Sequence, residues 1–448
     1  MTEISFSNVV IVAAVAFAAP LALGLIPKLR LPAVVLEIVL GIAVGPSGLG
    51  WVTSDLPVQV LSLVGLAFLL FLAGLDVELG RLRGRLLRLA GLGFVLSLGL
   101  ALVVGYALNA AGQVRSPLFV GIVLAATALG LVAPILKDAD LSEGEFGQLV
   151  LAAATIADFG TVILLSLLFS RNAGSVGSRL ALLGSFVALV AVVGFGLARA
   201  ERLKMLSGAL GRLGDTTAQI RVRGAVLLLI GFVALAERFG LQTILGAFMA
   251  GVILRIVDHD ATASHPHFRL KLEGIGYGFL IPVFFVSSGV EFNLPALLSS
   301  ASTMVRVPIF LLALLFVRGI PALLYRRVLG NRRTIAAGLL QATSLSFVVA
   351  AVQIGTLLGE ISAATGAALI GAGLLSVMLF PLLALMLLGG RKQSETDTND
   401  DARGLHPRPT ASPSPLLDAQ SLAGTPHGDR GRAHRGPGCA TDRPARRI

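Results

Sequence analysis

The chain has 448 residues, of which 55% are hydrophobic and only 14% charged, with a formal net charge of +11 and a mean hydropathy of +0.86. A soluble domain carries roughly 25% charged residues, so this composition excludes a water-soluble globular fold. The single cysteine excludes a disulfide scaffold, and the positive charge is accounted for by basic loops beside a membrane rather than by nucleic-acid binding.

Apolar runs separated by charged or turn-rich breaks predict an all-α integral membrane protein with about thirteen spans. They fall near 7–27, 31–50, 56–76, 88–111, 116–136, 145–169, 177–199, 221–237, 240–256, 270–290, 303–327, 333–357 and 361–389. The first apolar run has no basic residue before it and no small-residue cleavage site after it, so it is expected to be the first span rather than a cleaved leader. With the amino terminus outside, the cytoplasmic loops hold 22 Lys and Arg residues and the outer loops hold Arg115, Arg171, Arg179 and Arg238. The positive-inside rule therefore predicts an outer amino terminus and a cytoplasmic carboxyl terminus. Residues 391–448, rich in Pro, Gly, Ser, Asp and Arg, are expected to form a disordered cytoplasmic tail with no dinucleotide-binding fingerprint.

A charge at mid-membrane costs at least ~2.5–3.5 kcal/mol on insertion scales, so each one needs a reason. Asp158 lies near the centre of span 145–169 and Arg318 deep in span 303–327. One reading of Asp158 is a carboxylate in a water-filled cavity that holds either a cation or a proton; the other is a structural ion pair with Arg318. Two spans also carry polar, helix-weak centres. Ala126-Thr127-Ala128-Leu129-Gly130 is followed by Pro134, and Gln341-Ala342-Thr343-Ser344-Leu345-Ser346 interrupts span 333–357. Such segments suit the broken helices that expose carbonyls and half-helix ends at mid-membrane, or close packing by small residues. The first spans of the triplets 88–169 and 303–389 stand seven crossings apart, an odd number. The triplets are therefore expected to form an inverted repeat with two broken, crossing helices.

Several stretches carry a resemblance. They are Leu31-Pro32 through Glu37, Gly41, Gly45-Pro46-Ser47-Gly48-Leu49-Gly50, Leu70-Phe71-Leu72-Ala73-Gly74-Leu75-Asp76, Ala133-Pro134-Ile135-Leu136-Lys137-Asp138 and Ile281-Pro282-Val283-Phe284-Phe285-Val286-Ser287-Ser288-Gly289. In this order, around the mid-span Ala157-Asp158, the chain resembles the monovalent cation/proton antiporter family over about residues 7–389. That resemblance implies a transporter and not an enzyme. It implies no cofactor, a plasma-membrane location, a homodimer in the lipid bilayer and no nucleic-acid partner. It further implies a core domain (88–169 and 303–389) moving against a scaffold or dimerisation domain (7–76 and 221–290), joined by a linker helix, 177–199.

Asp158 matches the family's ion-binding aspartate and Arg318 a basic, charge-balancing residue. Thr127, Thr155, Thr343 and Ser344 are expected beside the ion, and Glu37 as a possible accessory group. The resemblance implies exchange of Na+, Li+ or K+ for protons, the cation and proton competing for Asp158. Ala157 stands where electrogenic relatives tend to carry a second acid, so one-for-one exchange is the simpler expectation. Thr343-Ser344-Leu345 replaces a carboxylate-bearing motif common in relatives. Potassium efflux, a related solute transporter and a non-transporting receptor or scaffold are the alternatives. Of the smaller signals, His259, His265 and His267 are read as a solvated loop, with pH sensing as the lesser reading.

Overall fold

A computed structural model describes residues 6–25, 32–76, 84–169, 176–201, 219–257 and 266–389. The expected tail, the basic residues Arg81 and Arg83, and two of the three loop histidines, His259 and His265, lie outside the described residues. Among the described residues every regular element is helical.

Eight helical runs are long and apolar enough to cross a bilayer, and shorter apolar helices occupy Ala33–Val44, Ala181–Gly196 and Thr243–Val257. The longest run, Ala301–Leu357, contains two expected spans divided at Gly330, where φ is 73°. With Ile220–Arg238, helical segments fall on each of the thirteen expected spans. Several ends are set by local chemistry. Asp55 caps Leu56–Leu75 by accepting from the Val58 amide at 3.1 Å, and Ser300 caps Ala301–Gly319 through the Thr303 amide at 3.2 Å.

The helices sort into two packed groups. In the first, α2 (Ala33–Val44) and α3 (Leu56–Leu75) pack on α12 (Ile281–Val290), and α3 also packs on α10 (Thr243–Val257), which leans on α9 (Ile220–Arg238). Missing Cβ atoms make this possible. A Cβ at Gly74 would meet the Phe248 carbonyl and one at Gly251 the Phe71 carbonyl, while Gly41 and Gly289 play the same parts between α2 and α12. In the second group, α4 (Gly84–Ala110), α7 (Glu145–Leu168), α14 (Ala301–Gly319), α15 (Arg326–Ala342) and α17 (Ala363–Gly389) pack on one another. Between α4 and α7 in the chain lies the second span of that group, which does not run straight through.

Two spans are broken, as their centres predict. The fifth is α5 (Pro117–Leu124), a non-helical Ala126–Ala128, then α6 (Leu129–Asp138). The twelfth is α15, a non-helical Thr343–Leu345, then α16 (Ser346–Leu357). The breaks cross and are clasped by a backbone hydrogen bond, Ala128 N to Thr343 O at 2.9 Å. This satisfies two groups that unwinding would otherwise leave without partners inside the membrane. Pro134 lies within α6 rather than in the break.

Among the described residues, side-chain hydrogen bonds between the two groups share one end of the bundle. Gln242 donates from its backbone N to Ser166 Oγ at 3.1 Å and from its amide to the Phe169 carbonyl at 2.6 Å. Gln353 donates to Ser288 Oγ at 3.2 Å and Glu291 Oε2 at 3.5 Å.

Candidate ion-binding site

The centre of the second group is built around the crossing. Thr127 Oγ1 donates to the Gln341 carbonyl at 2.7 Å and accepts from Arg318 Nε at 2.8 Å. Arg318 Nε also lies 3.4 Å from that same carbonyl. A guanidinium is thereby set against the carbonyl end of α15, where the helix dipole favours a cation.

A proline supplies the other half of the arginine's seat. Pro321 has no N–H for the Val317 carbonyl, and the helix tightens there into a 3₁₀ turn, Ile320–Tyr325. The Val317 carbonyl instead accepts from Ser97 Oγ at 2.9 Å, and Ser97 Oγ accepts from Arg318 Nη1 at 3.0 Å. Arg318 is 1% exposed.

Asp158 sits at the opposite kind of helix end. The amide of Leu129, the first residue of α6, donates to Asp158 Oδ2 at 3.2 Å. A carboxylate at a helix amino terminus meets unsatisfied N–H groups and the positive end of the dipole. Its other oxygen, Oδ1, is shielded from solvent and makes no hydrogen bond. No ion pair joins Asp158 to Arg318 among the described residues. Each charge is held by its own half-helix end. A structural ion pair therefore does not account for Asp158.

A vestibule of about 1030 Å³ leads toward this carboxylate, walled by both groups, with Thr155, Lys137, Asp76, Arg269 and Glu273 among its lining. Beyond it lies a chamber of about 40 Å³ whose polar side chains are Asp76, Asp158, Tyr277 and Ser346. At the other end of the bundle a separate pocket of about 390 Å³ is lined by Ser62, Ser288, Glu291 and Gln353, and it does not reach Asp158.

The remaining expected residues divide. Thr155 lines the vestibule, and its hydroxyl is bonded to the Leu151 carbonyl at 2.8 Å. Thr343 Oγ1 donates to the Leu339 carbonyl at 3.2 Å. Ser344 is fully buried with an unengaged hydroxyl, and its amide donates to Ser376 Oγ at 3.1 Å. Glu37 is buried in α2 and lines none of these cavities. Ser97, Gln341, Ser376, Asp76 and Tyr277 were not legible as partners. Only the freed carbonyls at Pro321 and the crossing itself select the first three.

Comparison with known proteins places this architecture. A model of the family described as "Sodium/hydrogen exchanger, transmembrane" matches residues 13–385. The chain belongs to the sodium/hydrogen exchanger family. Similarity to individual members agrees. The chain is 32% identical over 410 residues to YjbQ of Bacillus subtilis (strain 168), named as a Na(+)/H(+) antiporter, covering 88% of this chain and 65% of that one. It thus spans just under two thirds of that relative's length. It is 29% identical over 274 residues to the Na(+)/H(+) antiporter of Enterococcus hirae, covering 59% of this chain and 68% of the other. Among solved structures, the sodium proton antiporter MjNhaP1 of Methanocaldococcus jannaschii has the same fold, with a TM-score of 0.55 at 17% identity, covering 85% of this chain and 99% of that one.

Proposed function

We propose that this exchanger moves Na+, Li+ or K+ against protons by alternating access, with cation and proton competing for Asp158. The observation that carries the reading is the unengaged Asp158 Oδ1 at the end of a vestibule, beside a broken helix whose first amide holds Oδ2. A carboxylate so placed takes a proton or a partly dehydrated cation, and not both at once. Arg318, fixed to Thr127 and Gln341, balances charge when the carboxylate is empty. The Ser344 hydroxyl and the half-helix ends help replace the ion's water.

Residues 88–169 and 303–389 act as the core that moves against 7–76 and 221–290, with 177–199 linking them. The vestibule lies on the cytoplasmic side and the amino terminus is outside the cell, a reading supported by the excess of basic residues in the loops on the cytoplasmic side. Gln242 and Gln353 close the outer side in this inward-open arrangement. The protein works as a homodimer in the plasma membrane. With Ala157 leaving one central acid, the exchange is one cation for one proton.

The test is dequenching of a pH-gradient dye in everted vesicles on adding Na+, Li+ or K+ separately. The wild type is expected to respond to at least one cation and Asp158→Asn to none. A response in Asp158→Asn equal to wild type contradicts the mechanism. Anion-dependent uptake without cation-driven proton movement would instead support a symporter.

A further inference from the structure

Between the vestibule and the Asp158 chamber is a throat, and its wall carries oxygen ligands with no assigned task. Four residues line both spaces: Asp76 and Tyr277 from one helix group, Leu129 and Gly130 from the other. A cation moving from vestibule to chamber passes between them. The Tyr277 hydroxyl faces Gly130 closely, at 4.0 Å from where a Cβ would stand. Tyr277 lies in the π-helical turn Gly276–Leu280, a distortion that re-aims side chains and recurs at functional sites.

Three oxygens are available there. Asp76 binds Arg269 through Oδ1, and its Oδ2 has no hydrogen bond among the described residues. The Tyr277 hydroxyl has none either. The third is the Gly130 carbonyl. Its helical partner would be the amide four residues on, and that residue is Pro134, which has no N–H.

The charge is equally suggestive. Arg269 is shared between Asp76 and Glu273, the latter through Nε at 2.6 Å. Asp76, Glu143 and Glu273 line the vestibule together with Lys137 and Arg269, a formal excess of one negative charge. Such a surface attracts a monovalent cation without chelating it, because one Asp76 oxygen is already occupied by a guanidinium.

We propose that Asp76 Oδ2, the Tyr277 hydroxyl and the Gly130 carbonyl form a second, transient site for a monovalent cation, upstream of Asp158. Here the ion exchanges part of its hydration shell for protein oxygens before it displaces the proton. Arg269 keeps this site weak, so that the ion moves on. The inference rests on the exchange reading above.

The experiment measures cation-dependent proton movement in everted vesicles, where the vestibule faces the medium. Asp76→Asn is expected to raise the cation concentration for half-maximal rate about tenfold while the rate at saturating cation stays within about twofold. Tyr277→Phe should move the same parameter in the same direction, by less. Arg269→Gln should lower it, slow the maximal rate and make transport sensitive to Ca2+ added on the vestibule side. Wild-type half-saturation in both Asp76→Asn and Tyr277→Phe overturns the site. So does loss of all transport at saturating cation in a folded Asp76→Asn protein, which would make Asp76 part of the central site. If Asp76→Asn alone fails to reach the membrane, the Asp76→Asn/Arg269→Gln pair preserves the charge balance, and Tyr277→Phe decides. Asp158→Asn separates the two readings: activity in that variant refutes the exchange mechanism whatever Asp76 does.

Discussion

At the residue scale, the site is an arrangement of charges against helix ends. Asp158 faces the amide end of α6 and Arg318 the carbonyl end of α15, so each charge is compensated without a direct pair. Thr127 is the joint between Arg318 and the end of α15, because its hydroxyl serves Arg318 and the Gln341 carbonyl at once. Thr127→Val removes that hydroxyl and leaves a buried guanidinium and carbonyl short of partners, at a cost of about 1–3 kcal/mol. Purified Thr127→Val is expected to melt several degrees below wild type and to lose transport, with Thr127→Ser restoring both. Unchanged melting would remove Thr127 from this role. Asp158 and Arg318 were legible because a charge within an apolar run has no cheap explanation. Their separate partners were not, because Ser97 becomes a partner only through a carbonyl that Pro321 leaves free more than two hundred residues away.

At the scale of elements, both interruptions could be read from Ala126-Thr127-Ala128 and Thr343-Ser344-Leu345, which offer small or hydroxyl side chains where a span needs apolar bulk. The clasp between Ala128 and Thr343 could not be, since backbone groups carry no sequence signal of their own. The glycines make a similar case. Gly74 and Gly251 read as generic small residues, yet each is the point where one helix backbone meets the other. Gly251→Val forces α3 and α10 apart, with overpacking of about 1–3 kcal/mol, and is expected to reduce the folded, membrane-inserted fraction. Size-exclusion profiles of the solubilised protein check this, and a wild-type profile would contradict it. Gln353 and Gln242 look like ordinary polar residues near helix ends, but they tie the two helix groups at one end only. Gln353→Ala should therefore favour opening of that end. In a Cys439→Ser background, a cysteine placed at Ser62 in the neighbouring pocket should label faster with a membrane-impermeant thiol reagent when Gln353 is alanine. An unchanged labelling rate would show that Gln353 is no latch.

At the scale of the whole molecule, alternating apolar runs are enough to read an all-helical membrane bundle with a helical segment on each expected span, because the bilayer imposes a length rule on every span. Which helices pack together is less legible, because it depends on small-residue contacts and on the crossing rather than on hydropathy. The result is a bundle with a wide approach at one end, closed glutamine contacts at the other, and one carboxylate between. On the proposed mechanism, cation and proton share Asp158. The direct measurement is proton release from purified, weakly buffered protein on adding the transported cation. One proton is predicted to leave for each cation bound, with none released from Asp158→Asn. Cation binding without proton release, or release undiminished in Asp158→Asn, would contradict it.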